Sequence, residues 1–186
     1  MARNDYVIDP DGSRLPVTEI ESCHQRLVEL CKAKRFQEGL ALGDQQITKN
    51  PLNFRGYANK AFVLGWMGNH AEQIKYKNKA VELAPQNPGL YFSRALLHYN
   101  MGNYAAAIPD FTRCAELDKE DQVVGPGNYL HLADCHRRLG NYAAAIADCS
   151  LVPDNFDFPG FLGHFEGTKR HLLAEIERER GIALEP

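Results

Sequence analysis

The sequence predicts an all-α fold of four stacked helix pairs closed by a C-terminal helix. Three observations carry that expectation. The heptapeptide Gly-Asn-Tyr-Ala-Ala-Ala-Ile occurs at Gly102–Ile108 and again at Gly140–Ile146. A weaker copy, Gly-Asn-His-Ala-Glu-Gln-Ile, lies at Gly68–Ile74, 34 positions before the first of the pair. Between the copies, apolar and compact residues recur at spacings of four and three, which keeps them on one helical face. A fixed period of about 34 residues marks a helix–turn–helix unit copied and stacked. Such a stack offers an extended concave surface, better suited to binding than to chemistry.

The first element, residues 1–18, reads as an extended arm. It carries the turn cluster Asp9-Pro10-Asp11-Gly12-Ser13 and has no helical period. Thr18 followed by Glu21 matches a capping box, which sets the first helix to begin about Glu19.

Four units follow, at about 20–53, 54–87, 88–121 and 126–153, with registers starting at Ile20, Phe54, Pro88 and Pro126. Each first helix opens with Cys23, Tyr57, Tyr91 or Tyr129. Four residues on stands Leu27, Ala61, Ala95 or Ala133, and three further on Leu30, Leu64, His98 or His136. A compact residue in the middle of this stripe lets the second helix approach closely. The turns read Lys34-Arg35-Phe36, Gly68-Asn69-His70, Gly102-Asn103-Tyr104 and Gly140-Asn141-Tyr142. Glycine ends a helix by taking a left-handed conformation, and asparagine caps the next one through its side-chain oxygen. The second helices are expected to bury Leu40, Ile74, Ile108 and Ile146, then Gln46, Ala80, Cys114 and Val152. Pro51 and Pro85 end the first two units, and Asn87-Pro88 opens the third with a cap and an N1 proline. Pro109 falls inside a second helix, which it should bend or deprive of a hydrogen bond. Asp118–Gly127 is a loop by composition, and Pro153 cuts the last second helix short.

Residues 154–186 form a connector and a capping helix. Phe158, Phe161, Phe165, Leu172 and Ile176 recur at helical spacing, with Gly160, Gly163 and Gly167 sharing a face. The helix is expected from about Pro159 to Arg180, its charged tail Glu175–Arg180 facing water.

These positions together resemble the tetratricopeptide repeat (TPR) family over about Ile20–Val152. The second and third units match best. The first departs from the pattern at Arg26, Gly39 and Gly43, where apolar residues are usual. The resemblance implies a right-handed superhelix whose first helices line a concave groove. Groove-facing positions would then include Gln25, Val28, Asn59, Phe62, Trp66, Phe92, Ser93, Leu96, Tyr99, Asn100, His131, Asp134 and Arg138. Phe62, Trp66, Phe92 and Tyr99 would anchor a peptide or helix of a partner protein, while Asn59, Asn100, His131 and Arg138 would set its polar register. Some members clamp a C-terminal carboxylate with lysine, asparagine and arginine. Here only Asn59 matches, because His24, Val28, Gly89 and Ser93 stand at the neighbouring positions, so that clamp is not expected.

Composition narrows the partner classes. The chain has 186 residues, a net charge of −3 and no basic field to collect nucleic acid or anionic lipid. No apolar run is long enough to cross a bilayer, and the start lacks the apolar core of a secretory signal. Five cysteines, an odd number with no CxxC pair, fit a reducing compartment, so a cytoplasmic location is expected. His131 and Cys135 are four apart, but no second cluster completes a zinc set, and no thiol is paired with an oriented base. Gly125-Pro126-Gly127 lacks the lysine and hydroxyl of a phosphate-binding loop. The expectation is a non-enzymatic protein-binding module with no cofactor and no metal. A small dedicated chaperone or neutralising partner for an exported or toxic protein is the alternative, and a self-associating scaffold is a further one. Arg137-Arg138 and Lys169-Arg170-His171 read as solvated clusters, except that Arg138 turns toward the groove beside Asp134, where it could pair with an acidic partner.

Overall fold

The computed structural model describes residues 6–118, 124–154, 156 and 169–183. It divides into two compact units, Met1–Pro85 and Gln86–Pro186.

In the first unit the N-terminal segment is a hairpin rather than an extended arm. Strands β1 (Tyr6–Ile8) and β2 (Arg14–Pro16) pair antiparallel, with Val7 opposite Leu15. Asp9 supplies the physical reason. Its amide donates to the Ser13 carbonyl at 2.9 Å, and its carbonyl accepts from the Gly12 amide at 2.8 Å. Its carboxylate, only 4% exposed, accepts from Asn53 Nδ2 at 2.9 Å and from both Arg55 Nε and Nη2 at 2.7 and 2.8 Å. A fork-to-carboxylate pair of this kind fixes orientation as well as position. Asn50 Nδ2 adds a bond to Asp11 at 2.8 Å. The turn is thereby stapled to the start of the second repeat.

Strand β2 runs directly into helix α1 (Val17–Lys32), so the helix starts at Val17 and not at Glu19. Pro16 is its N-cap and there is no side-chain cap bond, because Thr18 already lies within the first turn. The remaining helices of this unit are α2 (Phe36–Lys49), α3 (Phe54–Trp66) and α4 (His70–Leu83). The second-unit helices are α5 (Pro88–Asn100), α6 (Tyr104–Leu117), α7 (Gly127–Arg138), α8 (Tyr142–Ser150) and α9 (Lys169–Ala183). Helices α1 to α8 follow one another as four successive pairs. Pro109 sits on the exposed side of α6, and the helix runs through it.

The turns hold as expected at Gly68, Gly102 and Gly140, whose φ angles are 71°, 75° and 75°. The first turn has no glycine, and Lys34 takes the left-handed conformation instead, with φ 57°. The asparagine caps divide by backbone geometry. Where ψ is extended, at Asn53 (123°) and Asn87 (106°), the side chain accepts an amide proton from two residues on. Asn69 reaches the Glu72 amide at 3.3 Å. At Asn103 and Asn141 ψ is 59° and 60°, and neither side chain makes a cap bond.

Small residues set the helix spacing. Ala61, Ala95 and Ala133 are 1%, 0% and 0% exposed. In the second helices the deepest residue is one position earlier than expected: Ala107 and Ala145 are fully buried, whereas Ile108 and Ile146 pack from the side. Gly39 and Gly43, departures from the family pattern, have the same task. A Cβ on Gly39 would meet Val63 Cγ2 at 3.0 Å, and one on Gly43 would stand 2.4 Å from Lys60 Cγ. Across the same contact, a Cβ on Gly56 would lie 2.8 Å from Ile47 Cγ1 and 3.0 Å from the Ile47 amide nitrogen.

In the second unit, Asp118 closes the loop between α6 and α7 by accepting from the Val124 and Gly125 amides at 3.0 and 2.8 Å. Leu172 and Ile176 of α9 are fully buried in one cluster with Leu130, Ala133, Ala145 and Val152. The described part of the capping helix therefore covers the last repeat. Its expected beginning near Pro159, with Phe158, Phe161 and Phe165, lies outside the described residues. No helix among the described residues is long and apolar enough to cross a membrane.

Two substitutions test this packing by chemical denaturation. Gly56→Ala should lower stability by about 1–3 kcal/mol, since the added methyl meets backbone that cannot swing away. Lys34→Gly should raise it by up to about 1 kcal/mol by relieving the left-handed lysine.

Candidate functional site

In the first unit, α3 presents Asn59, Phe62 and Trp66 along one face, at spacings of three and four. Phe62 packs half-buried against the Leu27, Cys31 and Val63 cluster, its ring centroid 5.4 Å from that of His24 on α1. Trp66 meets Phe62 edge-on at 6.4 Å and stays 48% exposed. Asn59 starts an amide chain: its Nδ2 donates to Gln46 Oε1 at 2.7 Å, and Gln46 Nε2 donates to Cys23 Sγ at 3.2 Å. The face is thus held from beneath by hydrogen bonds and capped by a ladder of three aromatic rings. Beside it opens a cavity of about 450 Å³, walled by Leu15 of the hairpin, Ile20 and Cys23 of α1, Gln46 of α2, and Phe54 and Asn59 of α3. Sequence reasoning placed Cys23 and Gln46 on the packing stripe and missed the cavity. The signal was faint: a thiol and an amide where the later units carry tyrosines and small apolar residues.

The second-unit candidates separate into buried and accessible groups. Asn100 is exposed and Ser93 is half-buried. Leu96, Tyr99, His131 and Asp134 are 9%, 4%, 4% and 0% exposed, respectively. Phe92 is half-buried, 5.8 Å from both the Phe111 and His131 rings. His131 lies flat on Phe111, the planes 6° apart at 5.5 Å, with Tyr99 edge-on at 5.3 Å. Burial holds its imidazole well below the ordinary histidine range, at about 4. It is a neutral aromatic slab at physiological pH.

Asp134 is the hub of this unit. Tyr99 Oη donates to Asp134 Oδ2, Arg138 Nε donates to the same oxygen at 2.6 Å, and Arg137 Nε donates to Oδ1 at 2.8 Å. Burial pushes the carboxyl up, but the bonds from Arg138, Tyr99 and Arg137 outweigh it and hold Asp134 below the usual carboxylate range. Burial together with the Asp134 charge pushes the Tyr99 phenol up. Arg137 is not a solvated cation: its side chain is 11% exposed and also reaches Glu175 and Glu179 of α9. Arg138 spends its charge on Asp134, with the guanidinium 5.0 Å from the Tyr104 ring centroid and 32% of the side chain exposed. Apart from Asn100, Ser93 and Arg138, these residues form a core beneath the surface.

Burial pushes the thiols of Cys114 and Cys135 up to about 12 and that of Cys149 to about 11. They are packing groups held in the neutral form. His98 and His136 are half-buried in the same register, each with a buried Nδ1 that has no hydrogen-bond partner. Among the described residues no group of three or more His, Cys, Asp or Glu is arranged to hold a metal ion.

Comparison with known proteins bears on this arrangement. Family models described as "Tetratricopeptide repeat" match residues 54–87, 88–121 and 126–151. No curated protein matches the chain in sequence. Among solved structures the chain is similar to MamA, at a TM-score of 0.66 and 16% identity, covering 83% of this chain and 84% of that one. It is similar to the TPR2B domain in a complex with pHsp70 of yeast Sti1, at 0.53 and 20%, over 65% of this chain and 95% of that one. A third is the Yersinia enterocolitica type III secretion chaperone SycD in complex with a peptide of the translocator YopD, at 0.55 and 17%, covering 68% and 93%. At these identities the likeness is one of fold.

The buried imidazole makes stability depend on pH. The folded state prefers neutral His131, so the unfolded chain binds the proton first as pH falls. Stability is full above pH 6.5 and is lost progressively toward about 4. Between pH 7 and pH 5 the loss should be about 2 kcal/mol. Urea titrations at both values check it, and His131→Phe should flatten the difference.

Proposed function

The chain belongs to the tetratricopeptide repeat family, and on that premise we propose that it binds a peptide or helix of a partner protein along the face of its first helices. The observation that carries the reading is the α3 face of the first unit. A tryptophan almost half exposed, resting edge-on against a ring that is itself packed, is a large apolar anchor already positioned at little cost in side-chain entropy. Asn59 supplies a polar group at the same face, its side-chain amide held in place by Gln46.

In the second unit, the accessible Asn100, Ser93 and Arg138 make polar contacts with the partner. Phe92, Leu96, Tyr99, His131 and Asp134 act from beneath, fixing the helices that carry those groups. The peptide complexes of the Sti1 domain and of SycD support the mode of binding, since the fold in both holds a segment of another protein. The SycD likeness also favours the narrower reading of a small dedicated chaperone. One stoichiometric partner in native purifications separates that reading from a general adaptor, which would carry several. The family's usual role is interaction and not catalysis, and the neutral, buried thiols and imidazole fit that role.

Affinity capture from the native cell identifies the partner, and Trp66→Ala tests the site. The variant should keep its melting temperature within a few degrees. It should bind the captured partner about thirtyfold more weakly, the loss of roughly 2 kcal/mol typical of a hot-spot aromatic. Unchanged affinity would overturn the reading.

A further inference from the structure

In the cavity of the first unit the polar groups of Asn50, Asn53, Arg55, Gln46 and Asn59 are engaged with one another or with the hairpin. Asn53 donates to Asp9 and Ser13 and accepts from the Arg55 amide. Asn50 donates to Asp11 and accepts from Leu52, and Arg55 is bound by both arms to Asp9. Asn59, Gln46 and Cys23 form their own chain. Glu19 and Lys49 also line the cavity, and both are exposed side chains that water solvates. What remains to be covered is the apolar surface of Leu15, Ile20, Phe54 and Ala58, in about 450 Å³. Concave apolar sites of roughly 300–1,000 Å³ are the size that takes a compact organic group.

Its position links the cavity to the aromatic face. Asn59 and His24 line it, and each also belongs to the face: Asn59 precedes Phe62 by one turn, and the His24 ring packs on Phe62. The hairpin, which is no part of the repeat pattern, supplies the Ser13 and Leu15 wall and is held there by Asp9.

We infer that the cavity under the N-terminal hairpin is a specificity pocket that receives one uncharged apolar side chain, aliphatic or aromatic, of the peptide bound on the Phe62–Trp66 face. The inference rests on the peptide-binding reading for its occupant, while the pocket itself is testable alone. A charged residue at that position of the peptide would lose its hydration against the apolar surface of Leu15, Ile20, Phe54 and Ala58. The pocket thus selects by chemical class where the exposed tryptophan only adds area.

The probe is N-phenyl-1-naphthylamine, uncharged and apolar, added to the full chain. It should bind one to one with a rise in fluorescence. Ala58→Phe and Ile20→Phe, which fill the space from α3 and from α1, should each weaken binding at least tenfold while keeping the helical circular dichroism of the wild type. The unmutated protein gives a second readout: saturating probe should slow the reaction of Cys23 with a disulfide thiol reagent at least tenfold. Equal binding by the filled variants, or no protection of Cys23, would overturn the pocket. With the captured partner, loss of binding in Trp66→Ala but not in Ala58→Phe leaves the peptide reading standing and overturns the pocket. Binding unchanged in both overturns the two together.

Discussion

The compact side chains at the helix contacts set the distances on which every other feature of this chain depends. Ala95 with Ala107, and Ala133 with Ala145, are buried to the last atom in shared clusters. Gly43 and Gly56 bring α2 and α3 so close that a methyl group on either would strike its neighbour. At such spacing a large residue cannot fit inside the contact, and the bulky rings are displaced to its margins. That is why Phe62 half-covers a cluster while Trp66 emerges into solvent, and why His131 lies flat on Phe111. Close packing of the scaffold and exposure of a few large groups are one constraint seen from two sides.

The same constraint separates roles within the set of candidate residues. Where a first helix faces another first helix of its own unit, the positions that a register assigns to the concave side can be covered. Tyr99 and Asp134 are 35 residues apart and meet in a hydrogen bond, as repeats of about that period bring equivalent levels together. Asp134 then gathers Arg137 and Arg138, and Arg137 carries the network on to Glu179 of the capping helix. A buried carboxylate with three donors is stable only with all of them in place, so the cluster fixes the geometry of the last repeat. In the proposed function, partner contacts in this unit fall to Ser93, Asn100 and the exposed part of Arg138.

Much of this was legible in the sequence. Gly68, Gly102 and Gly140 announce their turns because a left-handed residue has few alternatives, and the three-and-four spacing of apolar residues gives the helix pairs. The hairpin was not legible. Its strands are three residues each, and Asp9 finds Asn53 and Arg55 across 44 and 46 positions, which local patterns cannot encode. Gly39 and Gly43 looked like decay of the first repeat, because one sequence does not reveal that Val63 and Lys60 lie against them. That Asn59, Phe62 and Trp66 share one helix face was readable from their spacings of three and four. Less readable were Tyr99, His131 and Asp134, whose burial depends on what another helix brings.

The chain contains a single tryptophan, and the account places it at the partner contact. Its emission, with acrylamide as quencher, reports on that contact without any mutation. If Trp66 meets the partner, saturation should shift its emission to shorter wavelength and sharply reduce the quenching seen in the free protein. A partner that binds, by an independent measure such as calorimetry, while the emission and quenching of Trp66 stay those of the free chain would contradict the account.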